Sequence, residues 1–214
     1  MEREGRYQTS NTSEDQYVSG SNGQVLKNLL GITTRKEMER VETELLFEVT
    51  DQLLDEFEQG KRFTAKDIGE MHRRWLGTVY EWAGRYRQVM ISKGGFPFAA
   101  PAHIPQLMAV FGQHCLAKYT PCIFTTQEEI ISALAIVHAE LILIHPFREG
   151  NGRIARLLAT LMALQAGLPP LDFSDFVDNR QIEYFAAVQK AVGRDYAAME
   201  KIFEEIILRS LRER

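Results

Sequence analysis

The chain has 214 residues, 45% of them apolar and 25% charged, with a formal net charge of −4. That length fits one domain with a real core, or one domain with a short appendage. The acidic balance excludes a general nucleic-acid binder, because no broad basic surface is available to displace counterions from phosphates.

Residues 1–24 are polar and rich in Ser, Asn, Gly and Glu, which predicts a flexible N-terminal arm, with 25–214 as the folded domain. Val25, Leu26, Leu29 and Leu30 then suggest a helix of one or two turns ending near Gly31 and docking on the core. Thr34 and Glu37 have capping-box spacing. Met38, Val41, Leu45, Leu46, Val49, Leu53, Leu54 and Phe57 follow at steps of three and four, which predicts a long amphipathic helix. Thr64 opens another, with Ile68, Met71, Trp75 and Leu76 inward. A further turn holds Val79, Tyr80 and Trp82 and stops at Gly84.

From Arg85 to Ala100 the period drops towards two, and Gly94-Gly95 precedes Phe96-Pro97-Phe98. This predicts a β-hairpin in an otherwise helical protein. Phe96 and Phe98 are candidates both for exposed tips and for core anchors. Helix resumes at about Ile104 to Tyr119. Thr126 and Glu129 form a second capping box, opening a helix to Ile144 that is apolar almost all round and so central to the bundle. Pro146 should end it at His145. A new helix opens at Asn151 or Gly152 and runs to Gly167. Two more are expected, at about Asn179 to Val192 and Asp195 to Arg214. Cys115 and Cys122 are too few for a disulfide framework and lack zinc-finger spacing, so they read as reduced thiols. No secretory pattern opens the chain, and Ile130 to Ile144 is too short for a membrane span. The expectation is a cytoplasmic protein with no membrane span.

The densest chemistry lies in His145-Pro146-Phe147-Arg148-Glu149-Gly150-Asn151-Gly152-Arg153-Ile154-Ala155-Arg156. The Gly150-Asn151-Gly152 turn sits at a helix N-terminus, where free N–H groups and the helix dipole favour an anion. Arg153 and Arg156 share one face of the first turn, and their forked guanidiniums suit phosphate oxygens. Two cations there oppose the dipole, which makes sense if an anion is bound. Glu149 is a hard oxygen ligand suited to Mg²⁺ shared with phosphates. His145 can act as a base near neutral pH. Phe147 should face the core and hold the loop in shape. Any one of these features alone is an ordinary cap, turn or solvated face; their union in a dozen residues is not.

The run resembles the signature of the Fic family, His-x-Phe-x-(Asp/Glu)-Gly-Asn-Gly-Arg-x-x-Arg, at every defined position. The likeness extends over roughly Val25 to Phe203 and implies an all-α, Fic-type helical bundle with a small β-hairpin flap. It implies a protein adenylyltransferase that moves AMP from Mg-ATP to a Tyr, Ser or Thr hydroxyl of a target protein and releases pyrophosphate. Under the resemblance His145 is the general base and Glu149 holds Mg²⁺. Gly150, Asn151 and Gly152 cradle phosphates, with Arg148 contributing mainly backbone. Arg153 and Arg156 bind the β/γ end of ATP. The hairpin, Arg85 to Ala100, matches the flap that pairs with an extended target segment, which places Lys93 and Gly94 near the nucleotide. Tyr184 is a further candidate for the ATP site, beside the adenine.

Many Fic proteins carry an inhibitory helix, (Ser/Thr)-x-x-x-Glu-(Gly/Asn), whose glutamate pairs with the last motif arginine, here Arg156. Ser10 to Glu14 is followed by Asp15, and Ser174 to Asp178 carries Asp for Glu, so both are near-misses. The resemblance therefore favours a toxin-like protein whose glutamate comes from a separate antitoxin chain, or one with no such brake. If the chain is part of an effector, it would be translocated into a host cell.

Three alternatives remain. A Fic-related phosphotransferase or phosphocholine transferase would share the site, although those branches usually depart from Gly-Asn-Gly-Arg. A zinc hydrolase is suggested by His138-Ala139-Glu140, but the Pro-Cys-x-x-Cys it needs is absent. A nucleotide-binding interaction module would have no use for His145.

Overall fold

The computed structural model describes residues 13–212. The first twelve positions of the expected arm, Ser10 among them, and the last two of the expected C-terminal helix lie outside the described residues.

Helix α1 (Arg35–Asp55) starts at Thr34, whose hydroxyl accepts from the Glu37 N–H; no reciprocal bond from the Glu37 carboxylate closes the box. Helix α2 (Ala65–Leu76) has a complete capping box between Thr64 and Asp67. It buries Ile68, Met71, His72, Trp75 and Leu76, the stripe that a 3.6-residue period demands, and packs on α1 and on the later helix Asn151–Gln165. The hairpin is small. Strands β1 (Ser92–Lys93) and β2 (Phe96–Pro97) pair antiparallel, Ser92 opposite Pro97 and Lys93 opposite Phe96. Gly94 and Gly95 both take positive φ, 57° and 80°, as a two-residue turn between right-twisted strands requires. Phe98 is buried behind the hairpin while Phe96 is half-buried, so only the first of these is a full core anchor.

Helix α3 (Ile104–Val110) passes through a π-helical stretch, Phe111–Leu116, into the short α4 (Ala117–Tyr119). Helix α5 (Gln127–Ile144) is the axis of the bundle. It packs on α6 (Asn151–Gln165), on α8 (Gln181–Lys190), on α9 (Ala197–Arg212) and on the α3–α4 segment. That enclosure explains why its apolar residues run around all faces. Helix α7 (Ser174–Asp178), a short turn that periodicity did not predict, precedes α8.

The expected helix at 25–32 does not form. Val25 and Leu26 are buried, but Leu29 and Leu30 stay exposed. Asn28 explains the difference: its side-chain amide donates to the carbonyls of Leu26 and Ile32 and accepts from the N–H groups of Leu30 and Ile32. An Asn side chain that takes over local backbone bonds competes directly with a helix, and Gly31, at φ 70°, completes the turn. Residues 13–24 lie against the domain. Ser13–Asp15 form a 3-10 turn, Tyr17 bridges to Leu26, and the buried Glu14 accepts from the Gln88 N–H at 2.7 Å.

Candidate active site

Helices α5 and α6 are joined by residues 145–150, and this joint forms the floor of a cavity of about 610 Å³. Helix α5 ends at His145, which takes the left-handed conformation at φ 51°, ψ 59°. Helix α6 begins at Gly150, also left-handed at φ 83°, with no side chain capping its first N–H groups. Those donors are left for whatever occupies the cavity.

The loop is held from beneath. Phe147 is fully buried and stacks on His72 with ring centroids 3.9 Å apart. Asn151 is almost fully buried, and its side chain bonds both the N–H and the carbonyl of Phe147 at 2.8 Å. The Asn151 amide is therefore spent on closing the loop, and this residue can offer a phosphate only its backbone. His72 accepts the Gly84 N–H at Nδ1 (2.8 Å), so its Nε2–H donates to the Glu149 carbonyl at 3.0 Å. Arg148 is tied to the N-terminal segment, Nε to the Glu14 carbonyl at 2.8 Å and a terminal nitrogen to the Tyr17 hydroxyl at 3.2 Å.

The cavity is lined by Lys93, His145, Arg148, Glu149, Gly150, Asn151, Gly152, Arg153, Arg156 and Tyr184. Of the residues singled out from the sequence, Gly94 alone is not in its wall; it sits exposed at the hairpin tip. Among the described residues the cavity wall holds five cations, Arg35, Lys93, Arg148, Arg153 and Arg156, against a single carboxylate, Glu149. The same wall carries apolar side chains, Ile142, Phe173, Phe176, Val177 and Phe185, with Tyr184, and Lys93 lies over the Phe185 ring at 5.8 Å. A chain of net charge −4 thus concentrates positive charge where a polyanion would lie.

His145 is placed as a base should be. Its ring stacks on Phe98 at 3.7 Å, and Nδ1 lies 3.1 Å from the Ile142 carbonyl. A carbonyl can only accept, so Nδ1 carries the proton and Nε2 keeps its lone pair. Burial pulls the ring down to about 4, against the Ile142 hydrogen bond and with help from the charges of Arg87 and Lys93. His145 is therefore neutral and ready to accept a proton at ordinary pH.

The two motif arginines differ. Arg153 pairs with the buried Glu42 of α1 at 2.7 Å, reaches Glu149 at 3.4 Å, and lies 4.6 Å above the Trp75 ring. Glu42 also accepts the Tyr80 hydroxyl at 2.7 Å. Among the described residues no carboxylate pairs with Arg156, and burial lowers its affinity for the proton, with Arg153 adding to the effect. Glu14, in one near-miss to the inhibitory pattern, turns its carboxylate to Gln88. Asp178, in the other, is exposed at the end of α7 and does not line the cavity.

Glu149, the only carboxylate in the wall among the described residues, has a half-exposed side chain, and one of its oxygens accepts the Gly150 N–H at 2.8 Å. A single hard oxygen fits magnesium, which takes its other ligands from phosphates and water. Among the described residues no cluster of three or more His, Cys, Asp or Glu could hold a metal unaided. His138 is fully used, with Nδ1 on the Ala155 carbonyl at 3.2 Å and Nε2 accepting the Tyr184 hydroxyl at 2.5 Å. Glu140 accepts the Tyr196 hydroxyl. Tyr184 accordingly presents its ring, not its hydroxyl, to the cavity. Arg35, His72, Arg87, Phe98 and Phe185 also belong to the site or its support and were missed from the sequence. His72 alone carried a signal, as a polar residue on the apolar stripe of α2.

His72, His138 and His145 are all held neutral by burial, at about 4, 3 and 4. In the unfolded chain each returns to about 6.5. The unfolded state thus binds more protons between these values, and stability present above pH 6.5 is lost as pH falls towards 4. Urea unfolding should weaken by about 1.4 kcal/mol per pH unit for each histidine across this window. A midpoint that stays flat from pH 7 to 4.5 would contradict this burial.

A model of the Fic/DOC family matches residues 62–163. The protein adenylyltransferase VbhT of Bartonella schoenbuchensis is 32% identical over 160 residues, 72% of this chain and 32% of that protein. The chain thus spans about a third of that relative's length. The N-terminal Fic domain of an effector protein from Bartonella sp. AR 15-3 has the same fold, with a TM-score of 0.76 at 24% identity over 94% of this chain and 95% of that one. BepC from Bartonella tribocorum, solved with bound AMPPNP, gives a TM-score of 0.71 at 21% identity over 92% and 98%.

Proposed function

Because residues 62–163 form a Fic/DOC family domain, we propose that the chain is a protein adenylyltransferase that moves AMP from ATP to a hydroxyl of a target protein. The observation that carries this reading is the neutral His145, its Nε2 unprotonated, beside a cationic cavity that opens on a helix N-terminus. Nε2 takes the proton of the acceptor hydroxyl, whose oxygen forms a bond to the α-phosphorus. The bond from that phosphorus to the bridging oxygen breaks, and pyrophosphate leaves. The N–H groups at the start of α6 and the guanidinium of Arg156 stabilise charge on the phosphates, with Arg153 held beside them by Glu42. Glu149 would hold magnesium, which when bound neutralises phosphate charge. The adenine of the nucleotide would lie against the apolar residues of the wall, Ile142, Phe173, Phe176 and the Tyr184 ring.

The hairpin would take an extended target segment by strand addition. A separate antitoxin chain that brings a glutamate to Arg156 is the regulation we favour, since that arginine has no carboxylate partner among the described residues. No helix among the described residues is long and apolar enough to cross a membrane, which is compatible with action in the cytoplasm of a producing or host cell. Incubation with ATP and lysate, followed by mass spectrometry of the labelled band, tests the reading. AMP adds about 329 Da and a phosphate about 80 Da. A shift of the second size, or of a phosphocholine group, would assign the site to the alternative transferases.

A further inference from the structure

Arg87 lies outside the signature run, yet its side chain is fully buried between the hairpin and the loop. Its guanidinium points three ways: Nε donates to the His145 carbonyl at 2.7 Å, and the two terminal nitrogens to the carbonyls of Val89 and Ala99 at 2.6 Å each. Its own backbone N–H donates to the Pro146 carbonyl at 2.9 Å. One residue therefore binds both stems of the hairpin, Val89 ahead of β1 and Ala99 behind β2, to two consecutive carbonyls at the base.

Packing alone does not account for this arrangement. Burying a guanidinium is costly unless its donors are satisfied, and all three acceptors here are backbone carbonyls. An apolar side chain would avoid the buried charge but would leave the carbonyls of His145, Val89 and Ala99 without this donor. The planar fork of arginine can reach three divergent carbonyls, whereas the ammonium of lysine acts as a compact point charge. What the fork holds needs holding. His145 is a non-glycine residue in the left-handed region, which L-residues resist. Phe98, next to Ala99, carries the ring that stacks on the imidazole.

Resting on the adenylyltransferase reading, we infer that Arg87 is a positioning residue: it joins the hairpin and the His145 imidazole in one frame, so that an acceptor hydroxyl laid along the hairpin arrives in register with Nε2. Arg87 is not in the wall of the cavity. Its loss should therefore reduce turnover and leave nucleotide binding in place, since small misplacements of a base are expensive in rate.

Arg87→Lys and Arg87→Met, checked for melting, are to be compared with wild type for turnover with labelled ATP and for affinity towards a non-hydrolysable ATP analogue. The expected result is a fall in kcat of about 10-fold or more, with the analogue's Kd changed by less than about threefold. The nuclear Overhauser contact between the Phe98 and His145 rings should weaken in the same variants. A folded variant with wild-type kcat overturns the inference, and so does a parallel loss of kcat and analogue affinity. If neither variant folds, the wild-type protein decides. A slowly exchanging Arg87 Nε–H supports the frame, and one that exchanges as fast as an exposed guanidinium overturns it. A wild-type chain that transfers nothing counts against the adenylyltransferase reading alone; the ring contact and its loss still test Arg87.

Discussion

Replacing His145 with Ala should lower transfer by about 10²- to 10⁴-fold, the range that a positioned general base contributes. ATP binding should stay near the wild-type value. The imidazole sits on the Phe98 side of the cavity, while the cations that would grip phosphates come from the loop, from α6 and from Arg35. Removal of the ring leaves the helix N-terminus and the arginines intact. The same geometry shapes the pH profile. With the free imidazole near 4, the acid limb of kcat/KM should lie well below the 6.5 of an unburied histidine. An acid limb at 6.5 or above would mean that the ring is not buried as described. Substantial transfer by His145→Ala would remove the base assignment altogether.

The second large effect is expected at Gly150. Its φ of 83° is hard on any L-residue, and a Cβ there would come 2.6 Å from Cζ3 and 3.0 Å from Cη2 of Trp75. Trp75 has little room to yield: its Nε1 donates to the Glu42 carbonyl at 2.8 Å, and the Arg153 guanidinium lies above its ring. Gly150→Ala should therefore combine left-handed strain with overpacking and cost about 2–5 kcal/mol. For a domain of this size that is a melting decrease of about 5–15 °C. Phosphate binding should fail as well, because the clash displaces the start of α6 and the Glu42–Arg153 pair together. Gly95 provides the control. It has a similar φ of 80° but nothing within 4 Å of its would-be Cβ, so Gly95→Ala should cost only about 1–2 kcal/mol. Equal losses at the two positions would defeat the packing argument.

The bundle was legible where local physics and periodicity agree. The stripe of α2, the helix start at Thr64, the capping box at Thr126, the all-round apolar character of α5 and the stop at Pro146 all describe the structure, whereas the box expected at Thr34 closes only from one side. The segment at 25–32 was misread because four apolar residues at helical spacing say nothing of Asn28, whose side chain outcompetes the helix. Within the site, the residues of the run were legible because they are contiguous. Their supports were not. The role of Arg87 depends on carbonyls from Val89, Ala99 and His145, and a carbonyl is the same in every residue. The pairing of Arg153 with Glu42 spans more than a hundred positions, beyond what spacing can show. The hairpin itself was expected from the period-two pattern, although that pattern overstated its strands.

The tie between Arg148 and residues Glu14 and Tyr17 has a consequence for how the protein is made. These partners are 134 and 131 positions apart. Residues 14–17 are added to the growing chain about 7–27 s before Arg148, at ordinary elongation rates. Throughout that interval the Arg148 part of their seat is missing, although Leu26 and Gln88, which also hold them, are made earlier. The joint that forms the floor of the cavity is therefore tied to the N-terminal segment only when the earliest of these residues folds back onto the latest. Until Arg148 and its neighbours have been added, the nascent chain has no floor for the cavity and no anchor there for its own first described residues.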